Sequence, residues 1–286
     1  MVPIIRLIRP ANGVTALSDI CAGIAIAGVT LHLPTIPMSL LLLATFCLYS
    51  SGIIFNDVFD RAIDAVERPE RPIPAGHVNL KLAIITGIVL MINGILCSFL
   101  VHQISGLIAL CIGIMTLIYN YFAKHHPLLG PLTMGSCRGL NLLLGTSILG
   151  KPTPIICLLP ILFVAAITLT SKNEVTGNNR RSLSAAFGID ILIACIILYL
   201  SIIQIISFWV VIPYLCLWLF MNVKAKITAI RINKPKNIQQ AVKIGVISLI
   251  PLNAVYAAGF GGWIAGFIVL SLFPVSLFLA RKFAVT

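Results

Sequence analysis

Residues 37–64 read PMSLLLLATFCLYSSGIIFNDVFDRAID. The first part, 37–56, carries no charged residue and has the length, roughly 20 residues, that a helix needs to cross the hydrocarbon core of a bilayer. Three carboxylates then arrive together: Asp57, Asp60 and Asp64. On a helix, positions 57, 60 and 64 fall on one face, as do 56, 60 and 64. The end of the apolar run therefore presents three carboxylates and the amide of Asn56 to one place. Like charges stacked in this way repel, and more strongly as water is removed. A divalent cation turns that repulsion into ligation. Mg²⁺ suits the pattern, because it takes one or two carboxylates, keeps several waters and completes its shell with phosphate oxygens. Asn56, Asp57, Asp60 and Asp64 are the expected metal ligands, with the three aspartates as catalytic residues.

The stretch runs on through Glu67, Arg68, Glu70 and Arg71 to Pro72, Pro74 and Gly76. Arg68 and Arg71 suit a diphosphate, and the prolines and glycine end the helix and shape a loop. A solvated mixed-charge loop accounts for the residues from Glu67 to Arg71. It does not account for carboxylates that begin at the apolar boundary with one-face spacing.

The rest of the chain sets this motif in lipid. Of 286 residues, 59% are hydrophobic and 10% charged, and mean hydropathy is +1.07. Soluble domains carry about 25% charged residues, so a water-facing surface cannot be covered. Only helices and closed barrels satisfy their backbones in lipid, and continuous rather than alternating apolar runs select helices. The expected fold is all-α and polytopic, with spans near 14–32, 37–56, 80–101, 104–122, 132–149, 154–171, 184–202, 204–222, 238–258 and 262–280. That makes ten, or nine if a closely linked C-terminal pair is miscounted. Residues 1–13 hold Arg6 and Arg9 before a run too long for a signal sequence, with no small-residue cleavage site, so the first helix is retained. No hydrophilic domain, low-complexity tract or long linker interrupts the chain, and 1–286 reads as one domain.

Charge gives the orientation. With the N-terminus inside, the inner connections hold Arg6, Arg9, Arg61, Arg68, Arg71, Lys124, Lys172, Arg180, Arg181, Lys224, Lys226, Arg231, Lys234, Lys236, Arg281 and Lys282. The outer turns hold only Lys151. The net charge of +12 is thus a positive-inside bias, with attraction to anionic membrane lipid as a lesser effect, and it calls for no nucleic acid. The eight cysteines are scattered through apolar runs and read as small buried hydrophobes. His125 and His126, adjacent on the chain, point apart on a helix and read as an interfacial loop.

Asn56 to Asp64 fits N-D-x-x-D-x-x-x-D, and this segment resembles the first signature of the UbiA superfamily of intramembrane prenyltransferases, with R-P-I-P-A-G at 71–76 following as it does there. Arg9-Pro10-x-Asn12 resembles the family's opening R-P-x-N, Tyr121-x-x-Lys124 its Tyr/Lys pair after the fourth helix, and Arg138-Gly139 with Gly145 its fifth-helix pattern. The likeness runs from about residue 5 to 190. Within the superfamily the chain is most similar to the EboC group, whose second motif also reads S-K-N-E-V. The superfamily usually has nine helices.

The resemblance places a second aspartate motif at Ser171–Arg181, where D-x-x-D-x-x-G-D becomes Ser171, Glu174 and Asn178 when aligned on Gly177. Only Glu174 keeps a negative charge, as a catalytic and metal residue, while Lys172, Arg180 and Arg181 leave the loop net positive. These cations are expected to replace one metal as a clamp on diphosphate. The alternative is decay of the second motif in a non-catalytic protein that binds a lipid diphosphate or assists export of a small product.

The resemblance implies transfer of an isoprenyl group from a prenyl diphosphate to an aromatic or other small acceptor, with Mg²⁺ as cofactor and no assigned protein partner. Asn12, Asn56, Arg68, Lys124, Arg138, Lys172, Asn178, Arg180 and Arg181 would contact substrate. Asp19 and Asp190, carboxylates inside spans, are further candidates, with Arg138 as the expected partner of Asp19. The setting implied is a bacterial inner membrane with the site facing the cytoplasm. A secondary carrier would show repeated halves with Gly/Pro-interrupted helices, and a CDP-alcohol-type enzyme a D-G-x-x-A-R pattern; neither is present.

Overall fold

A computed structural model describes residues 7–8, 10–31, 35–171, 177 and 179–282. They form helices α1 (Pro10–Ile26), α2 (Ile36–Phe59), α3 (Arg61–Glu67), α4 (Leu80–Val101), α5 (Gln103–Tyr121), α6 (Leu129–Thr146), α7 (Leu158–Ser171), α8 (Arg180–Ile202), α9 (Phe208–Arg231), α10 (Pro235–Ile247), α11 (Leu249–Leu270) and α12 (Leu272–Lys282). No strand occurs among the described residues. Among the described residues, seven helical stretches are long and apolar enough to cross a membrane, and Gly13–Ile26 is a shorter apolar helix.

Helix starts follow local chemistry. The Thr35 hydroxyl accepts from the Met38 N–H at 3.4 Å with Pro37 in the first turn, and the Asn79 amide oxygen accepts from the Lys81 N–H at 2.9 Å. His102 Nδ1 accepts from Ile104 N at 3.1 Å, so α4 and α5 are joined by one capping residue. These side chains satisfy donors that a helix start leaves free.

Helix α1 is the central post, packed against α2, α6, α11 and α12. Around it, α2 packs on α4, α4 on α5, α5 on α6, α6 on α7, α7 on α8, and α8 on α9. α1 meets α6 with no room for a side chain. A Cβ added at Gly23 would lie 2.3 Å from the Leu142 carbonyl oxygen, and one at Gly145 2.6 Å from the Ile20 carbonyl oxygen. Close backbone approach through small residues is how helices associate where lipid is as apolar as leucine. α4 turns the other way and leaves Ile85, Ile88, Val89, Ile92, Leu96 and Leu100 exposed, a face suited to lipid tails.

Each of the ten expected apolar runs overlaps a helix, with three adjustments. The helix of the eighth run continues to Arg231, so Lys224 and Lys226 lie inside α9 rather than in an inner loop. The ninth run is divided, because α10 ends at Ile247 and α11 begins at Leu249. The stretch Pro235–Leu279 is 45 residues long. At 1.5 Å per residue that is about 68 Å, more than twice a bilayer core. It doubles back at Gly262, where φ is 80° and ψ −177°. A Cβ added at Gly266 would lie 2.7 Å from Ala258 Cβ, two positions that a straight helix would separate by about 12 Å.

Candidate functional site

α2 carries the acidic motif to the end of the bundle and stops at Phe59. Asp60 sits at the junction with φ −84° and ψ 0°, and α3 begins at Arg61. The backbone ladder survives the junction, with Asp60 N–H to Asn56 O at 2.9 Å and Asp64 N–H to Asp60 O at 2.8 Å. The carboxylates nevertheless divide between two cations. Asp57 and Asp64 are buried, at 2% and 4% exposure. Both reach one nitrogen of Arg71: Nη1 is 3.4 Å from Asp57 Oδ1 and 2.6 Å from Asp64 Oδ2. Asp60 pairs instead with Lys124. The Asn56 amide donates to Asp57 Oδ1 at 3.4 Å.

Arg71 is delivered by the loop that follows α3. The Ala75 N–H bonds the Arg71 carbonyl at 2.9 Å, and the Val78 N–H bonds the Pro72 carbonyl at 3.0 Å. Ile73 and Val78 pack into a small core with Leu7, Ile54, Val58 and Ala83. The R-P-I-P-A-G run is thus a folded strap that returns its arginine over the end of α2. Spacing along a helix gave no sign of this, since Arg71 lies 14 and 7 residues from its two partners.

The donor set bears on a metal. One nitrogen, carrying positive charge, lies within 3.4 Å of two carboxylate oxygens that come from different turns. This is a position where a divalent cation would be bound by two carboxylates with Asn56 beside them, a set that fits the modest protein ligation of Mg²⁺. No group of three His, Cys, Asp or Glu close enough to hold a metal occurs among the described residues. Asp60, engaged by Lys124, is the carboxylate outside the pair.

Below the motif lies a cavity of about 300 Å³, walled by α1, α2, α5, α6, α7, α10 and α11. Asn56 lines it and so joins it to the carboxylates. Its wall is mostly apolar, with Leu48, Ile53, Ile112, Met134, Val164 and Ile167 among the lining residues. Arg138 also lines it. The guanidinium donates to Asp19 Oδ2 at 2.8 Å and to Thr15 Oγ1 at 2.7 Å, and lies 5.3 Å from the centre of the Tyr49 ring. Asp19 accepts further bonds from Asn141 at 2.9 Å and Asn253 at 2.7 Å. The buried carboxylate in α1 is therefore the hub of a network tying α1 to α6 and α11.

Asp190 has a different partner. Lys226 Nζ lies 2.6 Å from Asp190 Oδ2, both fully buried between α8 and α9 and absent from the cavity wall. Arg68 is exposed, and no ion pair joins it to a described residue. Arg180 and Arg181 are exposed in the first turn of α8. Tyr121 is 73% exposed, its ring edge-on to Phe59 at 6.1 Å. Asn12 lies in α1 with its side chain outside the described residues, where Lys172, Glu174 and Asn178 also fall. The ends of that second loop are fixed: the Asn179 backbone N–H bonds Asn233 Oδ1 at 3.0 Å, and its amide bonds the Thr170 carbonyl at 3.1 Å.

Comparison with known proteins agrees with this architecture. Digeranylgeranylglyceryl phosphate synthase of Methanothrix thermoacetophila is 34% identical over 166 residues, 57% of this chain and 60% of that protein. Its counterpart in Methanosarcina barkeri is 38% identical over 117 residues, 41% of this chain and 40% of that one. The chain thus spans 60% and 40% of the length of these relatives, less than two thirds. Among solved structures, a UbiA homolog from Archaeoglobus fulgidus bound to GPP and Mg²⁺ superimposes with a TM-score of 0.67 at 16% identity, covering 94% of this chain and 99% of that one. A structure of digeranylgeranylglyceryl phosphate synthase superimposes with a TM-score of 0.70 at 20% identity, covering 91% and 98%. At those identities the likeness is one of fold, and the matches reach the superfamily rather than the EboC group. The profile of the UbiA prenyltransferase family takes in residues 16–244, from α1 into α10 and including the acidic motif and its cavity, and this multi-pass membrane chain belongs to that family.

Proposed function

We propose that the chain is an intramembrane prenyltransferase that moves an isoprenyl group from a prenyl diphosphate to a small acceptor in the presence of Mg²⁺. The observation that carries this reading is the convergence of Asp57 and Asp64 on one Arg71 nitrogen, linked through Asn56 to a largely apolar cavity of about 300 Å³. A prenyl diphosphate has the same two parts, a polyanionic head and an apolar tail. The Archaeoglobus fulgidus homolog, which holds GPP and Mg²⁺, supports the choice of ligand.

In this reading Asp57, Asp64 and Asn56 hold the metal, which when bound offsets the charge of the departing diphosphate. Arg71, freed from the carboxylates, turns its fork to the diphosphate oxygens, a geometry guanidinium suits. Asp60 holds Lys124 at the rim, where its ammonium meets the same oxygens. Arg68, Lys172, Arg180 and Arg181 add positive charge from the two loops, and Glu174 and Asn178 add oxygen ligands. Arg138, held by Asp19, faces the tail or the acceptor, and Asn12 the acceptor. Residues 1–286 act as one transmembrane unit in a bacterial inner membrane, the acidic motif toward the cytoplasm. The relatives' product is a glyceryl phosphate, which sets a glyceryl phosphate acceptor beside the aromatic one as a candidate.

The test is purified protein in detergent with labelled geranyl or geranylgeranyl diphosphate, Mg²⁺ and a panel of acceptors. Diphosphate release that depends on acceptor and on Mg²⁺ is expected. Tight binding of the prenyl diphosphate without release would leave the non-catalytic reading in its place.

A further inference from the structure

One span carries a polar side chain into lipid. α4 is the least buried of the seven spanning stretches among the described residues. Its neighbours take two sides of it. A Cβ added at Gly87 would lie 3.2 Å from the Phe55 ring and one at Gly94 2.7 Å from the Leu48 side chain, so this side meets α2. Met91 and Ile95 meet α5, 3.4 and 3.8 Å from where a Cβ of Gly113 would lie. The third side is open, and it holds Asn93. The Asn93 Nδ2 donates to the Val89 carbonyl at 2.8 Å, an acceptor that the helix ladder already uses. Its Oδ1 and second N–H have no partner among the described residues.

Depth and spacing narrow what the missing partner is. α4 has 22 residues, and Asn93 lies about 4 Å along the axis from their midpoint. Neither water nor a lipid headgroup reaches the middle of the hydrocarbon core, and a lipid tail leaves an amide unsatisfied. The residues in line with Asn93 are Leu82, Thr86, Val89, Leu96 and Leu100, at alternating steps of four and three. Leu82, Val89, Leu96 and Leu100 are exposed. This is the seam of a left-handed helix pair, with Asn93 at one of its central positions. All copies of the chain face the membrane the same way, so a closed pair has its two-fold axis along the membrane normal and its two α4 helices parallel. In register, each seam residue then meets itself. Asn93 meets Asn93, and an amide with one free N–H and one free oxygen is its own complement.

We infer that two copies of this chain pair through α4, with their Asn93 amides hydrogen-bonded to each other near the middle of the bilayer. The N–H of one amide donates to Oδ1 of the other. Val89 and the three leucines set the fit of the seam. The amides supply the attraction, because lipid is as apolar as leucine and gives apolar faces no drive to leave it. A single polar seam residue also fixes register and the number of helices, here two. No described residue of α4 lines the cavity, so the pairing leaves the cavity free.

The test uses the full chain in liposomes over a range of protein-to-lipid ratios, with energy transfer between donor-labelled and acceptor-labelled copies as the readout. Wild type should form dimers. Asn93→Leu should dissociate about threefold to thirtyfold more readily, and Asn93→Gln, which keeps the amide, should recover part of the loss. Cysteines placed singly in a cysteine-free background locate the contact. Val89→Cys and Leu96→Cys should give disulfide-linked dimers under a mild oxidant, whereas Ile88→Cys, similarly exposed but turned away from the seam, should not. If Asn93→Leu does not fold, the cysteine pattern decides alone. A chain that stays monomeric at every ratio would overturn the inference. So would undiminished pairing of Asn93→Leu, equal cross-linking at positions 88 and 89, or assemblies larger than two.

Discussion

At the scale of single residues, the acidic motif is held together by a cation from its own loop. Arg71 is buried to within 12% exposure against carboxylates that are nearly fully enclosed. Removing one partner of such a group leaves charge without compensation, which costs about 3 kcal/mol or more. Arg71→Ala is therefore expected to lower the melting temperature in metal-free detergent, and Mg²⁺ should restore part of the loss by taking the vacated position. A variant that Mg²⁺ stabilises no more than wild type would show that Asp57 and Asp64 do not chelate. The second loop gives another comparison. If its cations replace a metal, Lys172→Ala should reduce turnover as severely as Asp60→Ala, by about a hundredfold or more. A harmless Lys172→Ala would remove the clamp from the mechanism.

At the scale of elements, two joints decide how helices meet. The hairpin at Gly262 uses a conformation essentially closed to residues with a side chain, and its substitution costs about 1–3 kcal/mol. Gly262→Ala should lower thermal stability in detergent although nothing lies within 4 Å of the added methyl, so the loss reports backbone strain rather than a clash. Unchanged stability would mean that α11 does not turn back there. The second joint is the Asp190–Lys226 pair between α8 and α9, with Nζ also bonded to the Ala186 carbonyl at 3.2 Å. Asp190→Leu or Lys226→Met alone strands a buried charge, and each should destabilise by about 3 kcal/mol, whereas the double variant should recover most of the loss. Additive losses would contradict a direct pair.

At the scale of the molecule, the doubling back at Gly262 returns the chain to the face where it began. The alternation of the helices between Pro10 and Arg231 should put Glu67 and Lys236 on one side of the membrane, with Gln204 on the other. Single cysteines at these positions in a cysteine-free background, probed with an impermeant maleimide in sealed vesicles, should label from one side for the first two and from the other for the third. Glu67 and Gln204 labelling from the same side would break the topology. The sequence alone determined the solvent of the fold, the helices and the place of the acidic motif at the end of α2, because those depend on residues near one another along the chain. Lipid demands long uncharged runs, and helical spacing puts Asp57, Asp60 and Asp64 within one turn or two. Only the tertiary structure decided which carboxylates act together. The junction at Asp60 and the strap at 71–76 are set by packing of Ile73 and Val78 on α2 and α4, and no periodicity encodes them. The same holds for Asn93, an ordinary residue in an apolar run until α2 and α5 take the other sides of α4 and leave its amide facing lipid. Contacts between residues distant in the chain are chosen by the shape of the whole bundle, and that shape is what turns a legible motif into a site.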